Sequence, residues 1–271
     1  MNARLLTGIF APVLVAVVSP ISLVGGAATD QSHRVPILIE LFTSEGCSTC
    51  PPADAFLQKL DEQPVPNAEL IVMSEHVDYW NHDGWKDPFS SAAMTDRQRG
   101  YAAQFHLETV YTPQMVVDGD QQFSGVDAKK AQAAITDSLP HPKVPVRVSA
   151  ISIDGPRVHA TIETGALDSG SGVKAADIFL VVAQDHAESQ VLHGENANRH
   201  LTHTAVVRKI ARVGKIKPGE SFSQQVELKV DVPTDPHNLR VIAFLQNSSS
   251  GKVVGATMGT PSGGGPQPTG R

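Results

Sequence analysis

The sequence predicts an α/β N-terminal domain followed by an all-β C-terminal domain built as an antiparallel sandwich. In the first half, short apolar runs that suit buried strands alternate with segments of helical period. In the second half, short segments alternate apolar with polar residues and are separated by Gly, Asp, Pro and Ser. A proline-rich stretch at residues 140–145 separates the halves, and the net charge changes from −10 over residues 29–142 to +3 over residues 143–271. We therefore expect a domain at 29–142 and a second domain at 143–260.

The first 28 residues have the layout of an export signal. Arg4 precedes an apolar run over residues 5–24, and four small residues follow the run at 25–28. A membrane anchor is the alternative, since about 20 apolar residues can cross a bilayer, but two prolines in the run and the small-residue ending favour cleavage. We expect a signal peptide at 1–28, a periplasmic or secreted product with no membrane span after its removal, and a flexible tail at 261–271.

The composition argues against a nucleic-acid partner. The 271 residues include 22 Lys plus Arg and 28 Asp plus Glu, which give a formal net charge of −6. Proteins that bind nucleic acid present a basic surface, and this balance supplies none.

The first half predicts the element order βαβαββα. Residues 35–43 (VPILIELFT) form a nearly continuous run of branched apolar residues, typical of a strand buried on both faces. A helix is expected over 53–60, where Pro51 and Pro52 occupy a first turn whose amides need no partner. The other elements are a strand at 70–73, a helix at 91–105, strands at 115–117 and 121–123 joined by an Asp-Gly turn, and a helix that Asp127 caps and that runs to 139.

The second half predicts about seven strands. Their spacing, with turn residues between short alternating segments, is typical of a sandwich. They are expected at residues 146–153, 157–163, 177–184, 202–213, 221–230, 240–246 and 252–256.

Cys47 and Cys50 are the two cysteines of the chain and form one Cys-x-x-Cys. Closing so short a loop removes little entropy from the unfolded chain, so the pair is poorly placed as a structural disulfide. Between a strand and a helix, helix amides can point at the Cys47 sulfur and lower its pKa, and Cys50 can attack a mixed disulfide. Two alternatives stay open: a zinc or copper site completed by His76, His82 and Asp78, and a buried, inert thiol pair.

Longer stretches of the sequence resemble a known family. The element order, CSTC at residues 47–50 and the Thr-Pro pair at 112–113 together resemble the thioredoxin fold. Five longer segments resemble a narrower group of secreted thioredoxin-like proteins, catalogued as a domain of unknown function. They are IELFTSEGCSTCPPAD (39–54), HVDYW (76–80), GWKDPF (84–89), VYTPQMVVDG (110–119) and GENANRHLTHTAVVR (194–208). The resemblance implies a thioredoxin-like N-terminal domain.

The resemblance also implies roles for five residues. Cys47 is the attacking thiol and Cys50 the resolving thiol. Pro113 follows a cis peptide bond opposite them, and Thr112 offers backbone groups to a partner segment; an ordinary trans proline is the alternative. Glu40 resembles a buried carboxylate that shuttles a proton for the resolving thiol. The alternative for Glu40 is a pair with Lys or Arg.

The segment at residues 75–90 supplies further candidates. Trp80 and Trp85 can form a lid or a partner-binding wall, although aromatic residues here also suit a local core. His76 and Asp78 stand at alternating positions past a strand end and can act as a proton relay. In the second half, a polar cluster either lines a binding cleft or is a solvated loop: Glu195, Asn196, Arg199, His200 and His203.

These observations predict an exported thiol-disulfide oxidoreductase that acts on protein thiols or disulfides by mixed-disulfide exchange. We expect it to need no cofactor and no metal, with the second domain as a docking surface or scaffold. The alternative is a noncatalytic binding or metal-carrying module on the same fold.

Overall fold

A computed structural model describes Met1, residues 34–230 and residues 235–261. The predicted signal peptide, apart from Met1, and residues 262–271 of the predicted tail lie outside the described residues. The elements are β1 (Val35–Thr43), α1 (Pro51–Glu62), β2 (Ala68–His76), α2 (Ala92–Gln104), β3 (Gln114–Val117), β4 (Gln121–Ser124), α3 (Ala128–Ser138), β5 (Val146–Asp154), β6 (Arg157–Thr164), β7 (Ala176–Gln190), β8 (His200–Ile216), β9 (Phe222–Lys229), β10 (Leu239–Asn247) and β11 (Val253–Gly259).

The strands form two sheets. The larger has eight strands in the order β11-β10-β7-β8-β2-β1-β3-β4, and the smaller has three in the order β5-β6-β9. Strand β2 pairs in parallel with both β1 and β8, whereas the other pairs are antiparallel. Within the described part of the chain, no helix has the length and apolar character needed to cross a membrane.

The predicted fold class, an α/β thioredoxin-like domain followed by a separate all-β sandwich, is wrong. Of the residues that the structure describes, 45% lie in strands and 17% in helices, and one mixed sheet takes strands from both halves. The halves join where Ser74 of β2 pairs with Val206 of β8. The elements lie close to the predicted positions, but residue periodicity identifies a strand and not its pairing partner. The β7–β8 hairpin, with strands of 15 and 17 residues, reaches further than the pattern indicated.

Strand β1 is buried on both faces, as its apolar run predicted. Ile37, Ile39 and Leu41 face helices α1 and α3 in one core cluster. Leu38 belongs to a second cluster on the other face, which includes residues of β7, β8 and β10. A third cluster lies between the three-stranded sheet and the β7, β8 and β10 part of the large sheet. The cysteine turn therefore follows directly on a strand whose last seven residues are all buried.

A buried ionic network fastens α2 to the large sheet. Arg97 Nε donates to Glu40 Oε2 at 2.6 Å and to Glu75 Oε1 at 3.2 Å, and the Tyr101 hydroxyl donates to Glu40 Oε1 at 2.5 Å. Burial and then the neighbouring Glu40 raise the pKa of Glu75 well above its usual range. Gln246 of β10 accepts a further bond from Arg97 at 3.3 Å. One guanidinium thus links strands from both halves to α2.

We expect Arg97→Ala to lower the free energy of unfolding by about 3–5 kcal/mol, because it leaves the acidic side chains of Glu40 and Glu75 buried without the cation that pairs with them. Urea unfolding measures the change. The matched control is Arg99→Ala on the same helix, whose pair with Asp96 is 62% and 72% exposed and should change stability by less than about 0.5 kcal/mol. Equal losses for the two variants would contradict a structural role for this network.

Candidate functional site

The two cysteines lie in the turn between β1 and α1 and are joined by a disulfide. Cys50 is the N-cap of α1 and already has helical dihedrals, with φ −79° and ψ −38°. Ser48 and Thr49 stand exposed at the tip of the turn. The cysteines themselves are only 1% and 0% exposed. The polar tip therefore reaches solvent, but a partner cannot reach either sulfur in this conformation.

The first turn of α1 does not bring its amides to the Cys47 sulfur, contrary to expectation. Residues 51–52 are prolines and have no amide hydrogen. The amides of Ala53 and Asp54 donate to the carbonyl of Cys50, at 2.8 and 3.1 Å. The Thr49 hydroxyl lies 3.4 Å from Cys47 Sγ. Stabilisation of a Cys47 thiolate would therefore come from this hydroxyl and from the helix dipole.

The β7–β8 loop, residues 191–199, covers the cysteine turn. The Asn196 side-chain amide donates to the backbone carbonyls of Glu45 and Cys47, at 2.8 and 3.0 Å. The carboxylate of Glu195 accepts from the Ser48 amide at 3.3 Å. Asn196 is itself buried. The β7–β8 loop is therefore held against the cysteine turn by three hydrogen bonds.

Pro113 lies beside the first turn of α1. The Thr112–Pro113 peptide bond is cis, as the resemblance implied. A Cβ placed on Gly125 would lie 3.0 Å from the Ala53 Cβ and 3.1 Å from the Pro113 Cβ. The side chains of Pro113 and Ala53 are therefore neighbours, and the structure brings Pro113 to the cysteine end of the helix.

Both tryptophans pack around the cysteine turn. The Trp80 indole donates to the Thr112 hydroxyl at 2.8 Å, and a Cβ on Gly46 would lie only 2.9 Å from the Trp80 Cβ. The Trp85 indole donates to Glu45 Oε2 at 2.7 Å. The expected aromatic wall is thus partly buried, and it holds the turn through hydrogen bonds as well as packing.

An acid–imidazole cluster lies buried behind the turn and consists of Glu45, Asp54, His76, Asp87 and His203. His76 Nδ1 is 2.7 Å from Asp87 Oδ2, which also accepts from the Glu45 amide at 2.9 Å. His203 lies between the other two carboxylates, with Nε2 3.2 Å from Glu45 Oε1 and Nδ1 3.8 Å from Asp54 Oδ2. The two imidazole rings meet edge to face, with centroids 4.6 Å apart.

The environment shifts the protonation of this cluster. Burial opposes a charge on His76, but the Asp87 carboxylate and its hydrogen bond outweigh burial and raise the pKa of His76. Burial likewise opposes ionisation of Asp87, but the charge of His76 prevails and lowers the pKa of Asp87 to about 2. Burial raises the pKa of Asp54, although His203 and His76 partly offset it. The cluster can therefore hold one ion pair and one further carboxyl group whose proton is retained more readily.

The cluster also contains polar atoms that lack hydrogen-bond partners. Among the described residues, none bonds to Asp54 Oδ1, His76 Nε2 or His203 Nδ1. Buried polar atoms are normally paired, so several orphans in one place mark a site with chemistry to perform or a group to hold. The described residues include no group of three or more His, Cys, Asp or Glu arranged to bind a metal ion.

Comparison with known proteins places the chain in a family. The model for a protein of unknown function, DUF1223, matches residues 38–246. The chain belongs to the DUF1223 family. A search of curated proteins finds no match.

Two solved structures share the fold of this DUF1223 member. A crystal structure of a protein from Agrobacterium tumefaciens is 26% identical, with a TM-score of 0.66, over 86% of this chain and 98% of that one. HBP35 of Porphyromonas gingivalis is 16% identical, with a TM-score of 0.60, over 89% of this chain and 79% of that one. The second likeness is evidence of fold alone.

The structure separates some of the residues that the sequence grouped. His76 is buried against Asp87, whereas Asp78 receives a hydrogen bond from Thr95 at 2.6 Å, so the two do not form the expected relay. Glu40 lies on the α2 face of β1, where the alternative prediction, a pair with an arginine, is what the structure shows. The structure does bring Pro113, Thr112, Trp80 and Trp85 to the cysteine turn.

Sequence reasoning missed Asp54 and Asp87, and it left Asn196 and His203 in a loop thought to be solvated by default. Asp54 stands four residues after Cys50 on the same helix, so its inward position could have been inferred from helical spacing. Asp87 and His203 lie far apart in sequence and meet only through the fold.

The pair of His76 and Asp87 should make stability depend on pH. The pKa of His76 is higher in the folded protein than its ordinary value of 6.5, so protonated His76 stabilises the fold fully below pH 6.5. This contribution is lost as the pH rises through the pKa of His76 in the folded state. The lowered pKa of Asp87 stabilises above its ordinary value of 3.8, and this contribution is lost as pH falls toward about 2. We therefore expect Asp87→Asn to cost about 2 kcal/mol near pH 5.5 and less near pH 9, measured by urea unfolding.

The control for that experiment is Asp83→Asn, an exposed carboxylate in the same loop. Its stability cost should be small at both pH values. If Asp87→Asn destabilised the protein equally at the two pH values, the ion pair would not exist as described.

We expect Asn196→Ala to raise the alkylation rate of the reduced cysteines by roughly 10- to 30-fold, because two hydrogen bonds of about 1 kcal/mol each hold the loop closed. Iodoacetamide labelling followed by mass spectrometry measures the rate. The control is His193→Ala, an exposed position in the same loop. An unchanged rate for Asn196→Ala would show that this loop does not control access.

Proposed function

We propose that this DUF1223 member is an exported protein that exchanges disulfides with protein partners through Cys47 and Cys50. The observation that carries the proposal is a disulfide at a strand-to-helix turn, backed by a buried cluster that can hold and move protons. So short a disulfide loop contributes little to stability through unfolded-state entropy, which favours a chemical use of the pair. The signal-like segment at 1–28 supports export. Export in turn suits a disulfide, because disulfides persist in oxidising compartments.

The exchange starts from the oxidised pair seen in the structure. A partner thiolate attacks Cys47 Sγ, the Cys47–Cys50 bond breaks, and Cys50 leaves as a thiolate that takes up a proton. A second partner thiolate then attacks the partner sulfur of the mixed disulfide. Cys47 leaves as a thiolate and the partner gains a disulfide, so two electrons pass from the partner to the cysteine pair. The reverse sequence reduces a partner disulfide.

The β7–β8 loop determines when this chemistry can occur. Because Asn196 holds the turn closed, both sulfurs stay buried until the loop moves. An opened loop would expose Ser48 and Thr49 together with the sulfurs below them. Exchange is therefore proposed to follow loop opening. In the closed state the buried disulfide is protected from small thiols.

A second candidate function rests on the burial of the sulfurs. With both cysteines almost fully covered, the chain can also be a noncatalytic binding module in which the disulfide is inert. The two proposals differ in whether Cys47 ever forms a covalent bond with a partner.

We expect reduced Cys50→Ser protein to accumulate mixed disulfides through Cys47 when it is incubated with an unfolded protein that contains disulfides. The serine cannot resolve the adduct, so the covalent complex persists until a thiol reductant is added. Nonreducing electrophoresis and mass spectrometry identify the linkage. The double variant Cys47→Ser, Cys50→Ser is the control. If neither Cys50→Ser nor its Asn196→Ala derivative formed an adduct, the noncatalytic module would be the better account.

A further inference from the structure

We propose that Asp54 takes the proton of Cys50 when Cys50 resolves a mixed disulfide, and that His203 relays this proton toward Glu45 and the surface. This inference rests on the proposed disulfide exchange and assigns the proton transfer within it. It replaces Glu40, the carboxylate that the sequence suggested for this task.

Asp54 lies one helical turn after Cys50 on α1. Cys50 has helical dihedrals and Asp54 follows it by four residues, with the Asp54 amide bonded to the Cys50 carbonyl at 3.1 Å. Side chains at this spacing share a helix face with Cβ atoms about 5–6 Å apart. That separation allows proton transfer directly or through one water. Glu40 points to the opposite face of β1 and is already bound by Arg97 and Tyr101.

The carboxyl group of Asp54 is incompletely hydrogen-bonded. Asp54 is 7% exposed, and its Oδ1 atom has no hydrogen-bond partner among the described residues. Its other oxygen faces His203 Nδ1 at 3.8 Å, which likewise lacks a partner. Because burial raises its pKa, this carboxyl group can accept a proton at a pH where an exposed aspartate would not keep it.

His203 and Glu45 provide an exit for the proton. His203 Nε2 lies 3.2 Å from Glu45 Oε1, and the same carboxylate binds the hydroxyl of Ser189, which is half-buried at the end of β7. An imidazole with one face toward each carboxylate can take a proton on one nitrogen and release it from the other. Asp54, His203, Glu45 and Ser189 thus form a chain from the cysteine turn to the surface.

Other charged groups face this chain and affect its titration. His76 and Asp87 approach Asp54 from β2 and from the loop that precedes α2, with opposite electrostatic effects on its pKa. The Thr43 hydroxyl of β1 lies near Asp54 and lowers its pKa, which favours the ionised form. The hydrogen bond between His76 Nδ1 and Asp87 Oδ2 involves no atom of Asp54, so Asp54→Asn removes neither of its partners.

The oxidation of the reduced cysteine pair can be followed with dithiobis(nitrobenzoate), an aromatic disulfide that serves as the oxidant. The Cys47 thiolate attacks one of its sulfurs, which forms a mixed disulfide and releases one coloured thiolate. The Cys50 thiol then gives its proton to Asp54 and attacks Cys47 Sγ. The Cys47–Cys50 disulfide forms, a second coloured thiolate leaves, and two electrons have passed from the protein to the reagent.

We expect stopped-flow absorbance of the reduced full chain to show two releases, the first dependent on reagent concentration and the second independent of it. In Asp54→Asn the first rate should be unchanged, and the second should fall by about 100-fold near pH 7. The difference should shrink as the pH is raised, because hydroxide can then take the thiol proton in place of the carboxylate base. Asp54→Glu should restore part of the rate.

The matched control is Asp137→Asn, an exposed aspartate on α3 that should behave as wild type. A second rate that is unchanged in Asp54→Asn, or reduced equally at every pH, would overturn the assignment to Asp54. If neither the wild-type protein nor the Asn196→Ala variant released a second thiolate at any pH, the exchange function itself would be contradicted. The two failures are therefore distinguishable.

Discussion

The site depends on pairing buried carboxylates with imidazoles that come from different parts of the chain. Three acids lie almost without solvent behind the cysteine turn, and each ionised carboxylate buried without a partner would cost several kcal/mol. His76 arrives at the end of β2, and His203 arrives on β8 from the second half. The parallel contact of β2 with β8 is therefore both the junction of the sheet and the arrangement that makes these charges tolerable.

One hairpin serves two purposes. Strand β8 supplies His203 to the buried cluster, and the loop that precedes it supplies Asn196 to the outside of the cysteine turn. Glu45 contacts both through its carbonyl and its carboxylate. Movement of the loop would therefore disturb the hydrogen bonding of the cluster as well as the cover over the sulfurs. In the proposed exchange, access to the disulfide and proton transfer behind it would therefore be coupled.

The protein keeps two buried ionic groups on opposite sides of β1. The Arg97 network on the α2 face has its charges satisfied by a guanidinium and a phenol, which suits a structural role. The cluster on the cysteine side retains unpartnered atoms on Asp54, His76 and His203. Each group has one unpartnered carboxyl oxygen, Glu75 Oε2 in the first and Asp54 Oδ1 in the second. The second group differs in also having unpartnered imidazole nitrogens, on His76 and His203, and imidazole is a side chain that can take up and release a proton.

The sequence by itself determined the positions of most helices and strands, the cysteine turn and the cis proline, because these follow from local period, from turn residues and from a resemblance between motifs. It could not determine which face of β1 receives α1, since residues 37–42 are apolar on both faces apart from Glu40. The prediction that Glu40 lies behind the resolving cysteine, Cys50, therefore failed, and Glu40 pairs with Arg97 on the other face. Only the tertiary structure decided that β8 joins β2, that Asn196 binds the cysteine turn, and that Asp54, Asp87 and His203 lie in one cluster. Strand pairing and the burial of charge depend on contacts across more than a hundred residues, and no local pattern carries that information.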